Sequence, residues 1–106
     1  MDQDQIFEGV EIRDTSSATS NVSQTGEFTA ETLLIENTLN EAVTLQLQGC
    51  LAGHDWFDIG DSVNVPASTN DYETVTDYFP CYRMTAICSV APTSGDLEVW
   101  IIKSKR

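Results

Sequence analysis

A chain of 106 residues is long enough for one domain and too short for two with separate cores. Its 41% hydrophobic content argues against global disorder, and no apolar run approaches the ~20 residues that a membrane-spanning helix needs. Seventeen acids against five lysines and arginines give a net charge of -12, which disfavours nucleic acid phosphates and anionic membranes as partners.

The opening MDQDQIFEGVEIRD lacks the basic start and apolar core of a secretory signal. Within it Ile6, Val10 and Ile12 share one parity, with Glu11 and Arg13 on the other, so a first strand is expected. The next stretch, TSSATSNVSQTG over 15–26, is polar and without period. It reads as a long loop or arm, the most mobile part of the chain. In FTAETLLIEN, Phe28 and Ala30 share a parity that Leu33 and Ile35 do not. A bulge near Glu31 or Thr32, or cover on both faces, reconciles them. NTLNE then leads into VTLQLQ, where Val43, Leu45 and Leu47 alternate with Thr44, Gln46 and Gln48; a hairpin between these two strands is expected.

GCLAGHD reads as a turn, WFDIG and SVNVP as short strands, ASTND as a loop and YETVTDYF as a further strand. CYRMTAICSV alternates cleanly, PTSGD turns, and LEVWIIK is the last strand. No segment carries helical spacing of apolar residues. The pattern is that of an all-β chain: one antiparallel β-sandwich, Ig-like or jelly-roll-like, of about eight short strands over 1–106.

Three cysteines allow one disulfide. Cys81 and Cys88 lie in one extended run, about 23 Å apart at ~3.3 Å per residue, too far to join. Cys88 shares parity with Met84 and Ala86 and reads as a buried free thiol. Cys50 and Cys81 sit at strand ends and form a disulfide if those strands are neighbours. Zinc held by Cys50, His54 and Cys81 lacks a fourth ligand once Cys88 is removed, and no metal or other cofactor is expected. Asp55, Asp58 and Asp61 make a weak cation candidate, set against a solvated acidic edge. His54, the only histidine, has no partnered nucleophile, so an enzyme is not expected.

The surface is more informative. In the last strand Leu97, Val99 and Ile101 share the inward parity, while Glu98, Trp100 and Ile102 face outward, on a face that begins charged and turns apolar. Trp100 and Ile102 are therefore expected under cover of the arm or against another chain. The uncharged side Thr44, Gln46 and Gln48 also suits close packing. The basic tail Lys103, Lys105 and Arg106 on an acidic body suits docking onto a neighbouring copy, or is a solvated end. Tyr72, Tyr78 and Trp56 are candidates for stacking on sugars.

The strand pair RMTAICSVAPTSGDLEVWI, with WFDIGDSVNVPA upstream and the expected hairpin ending LQLQG, resembles small β-sandwich proteins of tailed viruses of bacteria and archaea, over roughly Thr32 to Lys103. Ala91-Pro92-Thr93-Ser94-Gly95, between two long strands, is the most specific part of the likeness. The resemblance implies a head decoration or tail accessory subunit that covers or cements a capsid or tail lattice by repeated contacts. Copies of itself and a shell or tail protein would be its partners, and the virion, assembled in the host cytoplasm, its location. The alternative is a carbohydrate- or receptor-binding module, with a glycan as partner.

Overall fold

Period-two alternation gives each strand one dry and one wet side, and two sheets must meet for the dry sides to be buried. The computed structural model, which describes residues 2–25, 28–51, 55–76 and 78–105, does this with ten strands and no helix. In chain order they are β1 (Asp2–Val10), β2 (Ala18–Thr19), β3 (Ser23–Gln24), β4 (Phe28–Asn37), β5 (Val43–Cys50), β6 (Trp56–Asp58), β7 (Val63–Val65), β8 (Thr69–Thr74), β9 (Cys81–Ile87) and β10 (Leu97–Lys105). One sheet has four strands in the order β1-β10-β4-β8. The other runs β2-β9-β5-β6, with β3 also on β9 and β7 also on β5. All pairings are antiparallel. The core is filled by Leu97, Val99 and Ile101 of β10, Leu33 and Ile35 of β4, Val43 and Leu45 of β5, and Tyr82, Met84 and Ala86 of β9. The chain is an antiparallel β-sandwich.

The winding differs from the expected hairpin. β4 lies in the four-stranded sheet and β5 in the other, so NTLNE is a corner that crosses the sandwich. The PTSGD connection crosses likewise, from β9 to β10. From β1 onward the chain changes sheet at every connection outside the pieces β2–β3 and β5–β7, which is the jelly-roll course. Buried Asn37 explains the first corner. Its Oδ1 accepts from Leu39 N at 3.1 Å, and its Nδ2 donates to the carbonyls of Val65 at 3.2 Å and Pro66 at 3.0 Å. An asparagine that caps the turn and ties it to the end of β7 steers the chain away from a hairpin.

The parity change in β4 is a bulge. Ile102 faces Thr32 and Lys103 faces Ala30, so Glu31 is the extra residue. This turns both Ala30 and Leu33 inward. In β1, register shifts on both sides of Phe7 let the adjacent Ile6 and Phe7 both reach the core.

The stretch expected to be a free arm is instead docked along β9. Ala18 and Thr19 pair with Ala86 and Thr85, and Ser23 and Gln24 pair with Tyr82 and Cys81. Between these pieces Ser20 N donates to Met84 O at 2.8 Å, while Met84 N donates to the Ser20 hydroxyl at 2.8 Å. Ser23 and Thr25 are buried. Serine and threonine give no hydrophobic period, but their backbone pairs and their hydroxyls replace missing rungs.

Of the expected basic tail, Lys103 is not free. β10 runs on to Lys105, and Lys103 is 4% exposed on the inward side. Its ammonium bonds Asp4 Oδ2 at 2.7 Å and Gln24 O at 3.0 Å, and Ser23 Oγ donates to the same carboxylate oxygen at 2.5 Å. Partial burial pushes the Asp4 carboxyl up, but the hydrogen bonds from Lys103 and Ser23 and the ammonium charge outweigh it and hold it below its ordinary value. A carboxyl held down in the folded state binds fewer protons there than in the unfolded chain. The pair's contribution is therefore complete above the ordinary carboxylate range and is lost as pH falls through the folded value. Asp4→Asn is expected to cost about 2 kcal/mol at pH 7, less than a fully buried pair because the Asp4 side chain is 40% exposed. Urea unfolding at pH 7 and pH 3 checks this: the gap between wild type and variant should narrow at the lower pH.

Candidate functional site

Side chains directly opposite on neighbouring strands stand in rows across a sheet. On the outer face of the four-stranded sheet, Gln5, Trp100, Leu34 and Tyr72 pair in sequence across β1, β10, β4 and β8. At about 4.8 Å per strand this row is about 14 Å long. On one side of it stands the row Gln3, Ile102, Thr32 and Thr74; on the other stand Glu98, Glu36 and Asn70. The central row is apolar in its middle and exposed at its end. Trp100 is half-buried, Leu34 is 40% exposed and Tyr72 68% exposed. A water-facing side of an antiparallel sheet ordinarily stays polar, so these three need a reason.

Beside the row lies an open groove of about 460 Å³, lined by Gln3, Leu34, Glu36, Asn70, Asp71 and Trp100. Among the described residues, the indole N–H of Trp100, the Glu36 carboxylate and the Asn70 amide have no hydrogen-bond partner within the chain. Gln5 Nε2 donates to Glu98 at 3.2 Å, fixing one end of the row. A second cavity, of about 180 Å³, opens between the sheets and is walled by core side chains such as Leu33, Leu45, Leu47 and Met84, with Asp61 and Glu73 also lining it.

The expected interface residues divide. Trp100 and Ile102 both lie on this outer face, half-buried. The Thr44, Gln46 and Gln48 side belongs to the other sheet and is engaged within the chain. Gln46 Nε2 donates to Ile59 O at 3.2 Å, Gln48 bonds Asp58 at 2.9 Å and Arg83 at 2.8 Å, and Thr44 accepts from Asn64 at 3.2 Å. Close packing there is supplied by the chain's own β6–β7 return, because that segment pairs with β5. Lys103 is buried as described above. The side chain of Lys105, all of Arg106, and His54 lie outside the described residues.

Of the three aromatic candidates for sugar stacking, Tyr72 stands on this face. Trp56 is on the other sheet, with the Arg83 guanidinium 4.4 Å from its ring centre, and Tyr78 lies in the β8–β9 crossing. Asp55, Asp58 and Asp61 do not converge. Asp58 is engaged by Gln48, and among the described residues no three His, Cys, Asp or Glu side chains form a metal-binding group. Cys50 and Cys81 stand opposite each other on β5 and β9, with Cα atoms 5.5 Å apart, and are joined by a disulfide. Cys88 is a buried free thiol; burial pushes its pKa up, and the nearby Glu41 charge adds to this. Leu34, Glu36 and Asn70 are residues of this face that sequence reasoning missed, and Leu34 carried a signal. It lies between the inward Leu33 and Ile35, so its apolar, outward position was readable from parity.

The fold and this face define a class: a jelly-roll β-sandwich with an apolar row left open across one outer sheet face. No protein-family model matches the chain, and no curated protein is similar to it in sequence. Among solved structures it is similar to the crystal structure of PirA, with a TM-score of 0.61, 18% identity, and coverage of 94% of this chain and 93% of that one. Likeness at that identity concerns the fold alone.

Proposed function

We propose that this chain is a non-enzymatic contact protein of a virus particle, covering or cementing a capsid or tail lattice through the outer face of its four-stranded sheet. The observation that carries the reading is the row Trp100, Leu34 and Tyr72 on a sheet face where polar side chains are the rule. The resemblance of residues 32–103 to small tailed-virus proteins supplies the setting. The Cys50–Cys81 bridge suits a particle that persists outside a reducing cytoplasm. Glu36 and Glu98 stand beside the row, so two copies docked symmetrically through it would oppose like charges. A shell or tail protein with basic groups beside an apolar ridge is the better complement, and copy number makes individually weak contacts firm.

Co-sedimentation of the purified chain with particles stripped of it tests the reading. Wild type should pellet with the particles. Trp100→Asp should weaken association at least 30-fold, the loss of an interface anchor of about 2 kcal/mol. Failure of the wild-type chain to associate would overturn the proposal, as would binding insensitive to substitutions at Trp100, Leu34 and Tyr72.

A further inference from the structure

The groove beside Trp100 has a chemistry of its own. It combines an apolar wall, made by the Trp100 indole and Leu34, with polar groups that the fold leaves unused: the Trp100 N–H donates, the Glu36 carboxylate accepts, and the Asn70 amide does both. A ligand that fits must offer an apolar face to the indole and several hydroxyls at its edge. Sugar rings have this form: their C–H faces stack on aromatic rings while their hydroxyls take carboxylate and amide hydrogen bonds. The volume of about 460 Å³ lies in the range of small-ligand sites.

Charge narrows the class. Glu36 and Asp71 line the groove and Glu98 stands next to Glu36 in its row. The described cations face other groups: Arg13 bonds Glu11 and Gly95 O, Arg83 lies over Trp56, and Lys103 bonds Asp4. With carboxylates in the groove and these cations turned elsewhere, sialylated or sulfated sugars are repelled. We infer that the groove of Trp100, Leu34, Glu36 and Asn70 binds neutral glycans. This takes the same face as the contact reading but gives it another occupant, a glycan-bearing surface in place of a shell or tail protein with basic groups, and the experiment below separates the two.

The test is an array of neutral, sialylated and sulfated oligosaccharides probed with the disulfide-intact chain. The highest-scoring free neutral oligosaccharide is then titrated into 15N-labelled protein. The expected result is binding confined to neutral glycans, with the Trp100 indole resonance shifted and that of Trp56 unmoved. Trp100→Ala should weaken binding at least tenfold. Asn70→Ala, on an exposed edge-strand side chain that threatens no packing, should weaken it several-fold with the rest of the spectrum unchanged. A preference for anionic glycans, a shift at Trp56 alone, or no binding to any member of the array would overturn the inference. Should the array be blank while Trp100→Asp still abolishes particle association, the glycan inference falls and the contact reading stands. Loss of both would remove the face itself from consideration.

Discussion

Gly95→Ala is expected to lower stability by about 3–5 kcal/mol, a fall of roughly 12–25 °C in melting temperature. Gly95 has φ +84°, where a Cβ is strained in any setting. A Cβ placed there would also lie 1.9 Å from the carbonyl oxygen of Thr38 and 2.7 Å from Leu39 N, both backbone atoms of the β4–β5 corner. Neither can step aside without moving that corner. The corner is in turn fastened to the β9–β10 crossing: Thr38 N donates to Asp96 O at 3.0 Å, Asp96 N to Thr38 Oγ1 at 2.9 Å, and Thr93 N to Asn40 Oδ1 at 2.9 Å. Two crossings of the sandwich thus share one close approach, and glycine permits it. Gly60 is the control. Its φ is +65°, but a Cβ there would meet nothing within 4 Å, so Gly60→Ala should cost only about 1–2 kcal/mol. Equal losses in calorimetry for the two variants would show that the corners do not depend on this contact.

The second large effect comes from the bridge between β5 and β9. Cys50 and Cys81 are 31 residues apart in sequence, and closing a loop of that length removes about 3–4 kcal/mol of unfolded-state entropy. Reduction, or the double variant Cys50→Ser with Cys81→Ser, is therefore expected to move the urea midpoint strongly downward. Cys88 offers no substitute partner, since it is buried beyond the end of β9. Intact mass should rise by two hydrogens on reduction. A mass unchanged by reductant, or a midpoint unmoved by it, would count against the bridge as a stabilising element. The outer face of the four-stranded sheet lies away from this bridge, so glycan or particle contacts should outlast reduction wherever the fold does.

Alternation along the chain made the strands and their inward sides legible, because period two depends only on neighbouring residues. The break in parity was legible for the same reason, but whether a bulge near Glu31 or Thr32 or cover on both faces resolves it was not; the β10 register places the bulge at Glu31. Pairing was not legible. An inward pattern looks the same whichever sheet a strand joins, so β4 and β5 read as a hairpin although Asn37 sends the chain across the sandwich. Two-residue strands such as Ala18–Thr19 and Ser23–Gln24 are too short to show a period, and their Ser/Thr composition resembles a loop. Lys103 was misread through its charge. It follows Leu97, Val99 and Ile101 at the same parity, and that pattern outranks its chemistry once Asp4 and Gln24 stand ready inside. At the candidate site, Trp100 and Ile102 were visible as apolar residues due to be polar. Leu34 and Tyr72 join them only through the β10–β4–β8 register, which is long-range information.

The claim that this sheet face is the working surface is tested most directly by acrylamide quenching of Trp100 in a Trp56→Phe background, free and then bound to particles or to a glycan-coated surface. In the free chain the half-buried indole should be quenched measurably, and on binding it should become protected several-fold. Quenching that is the same in both states, with binding verified in the same sample, would contradict the claim.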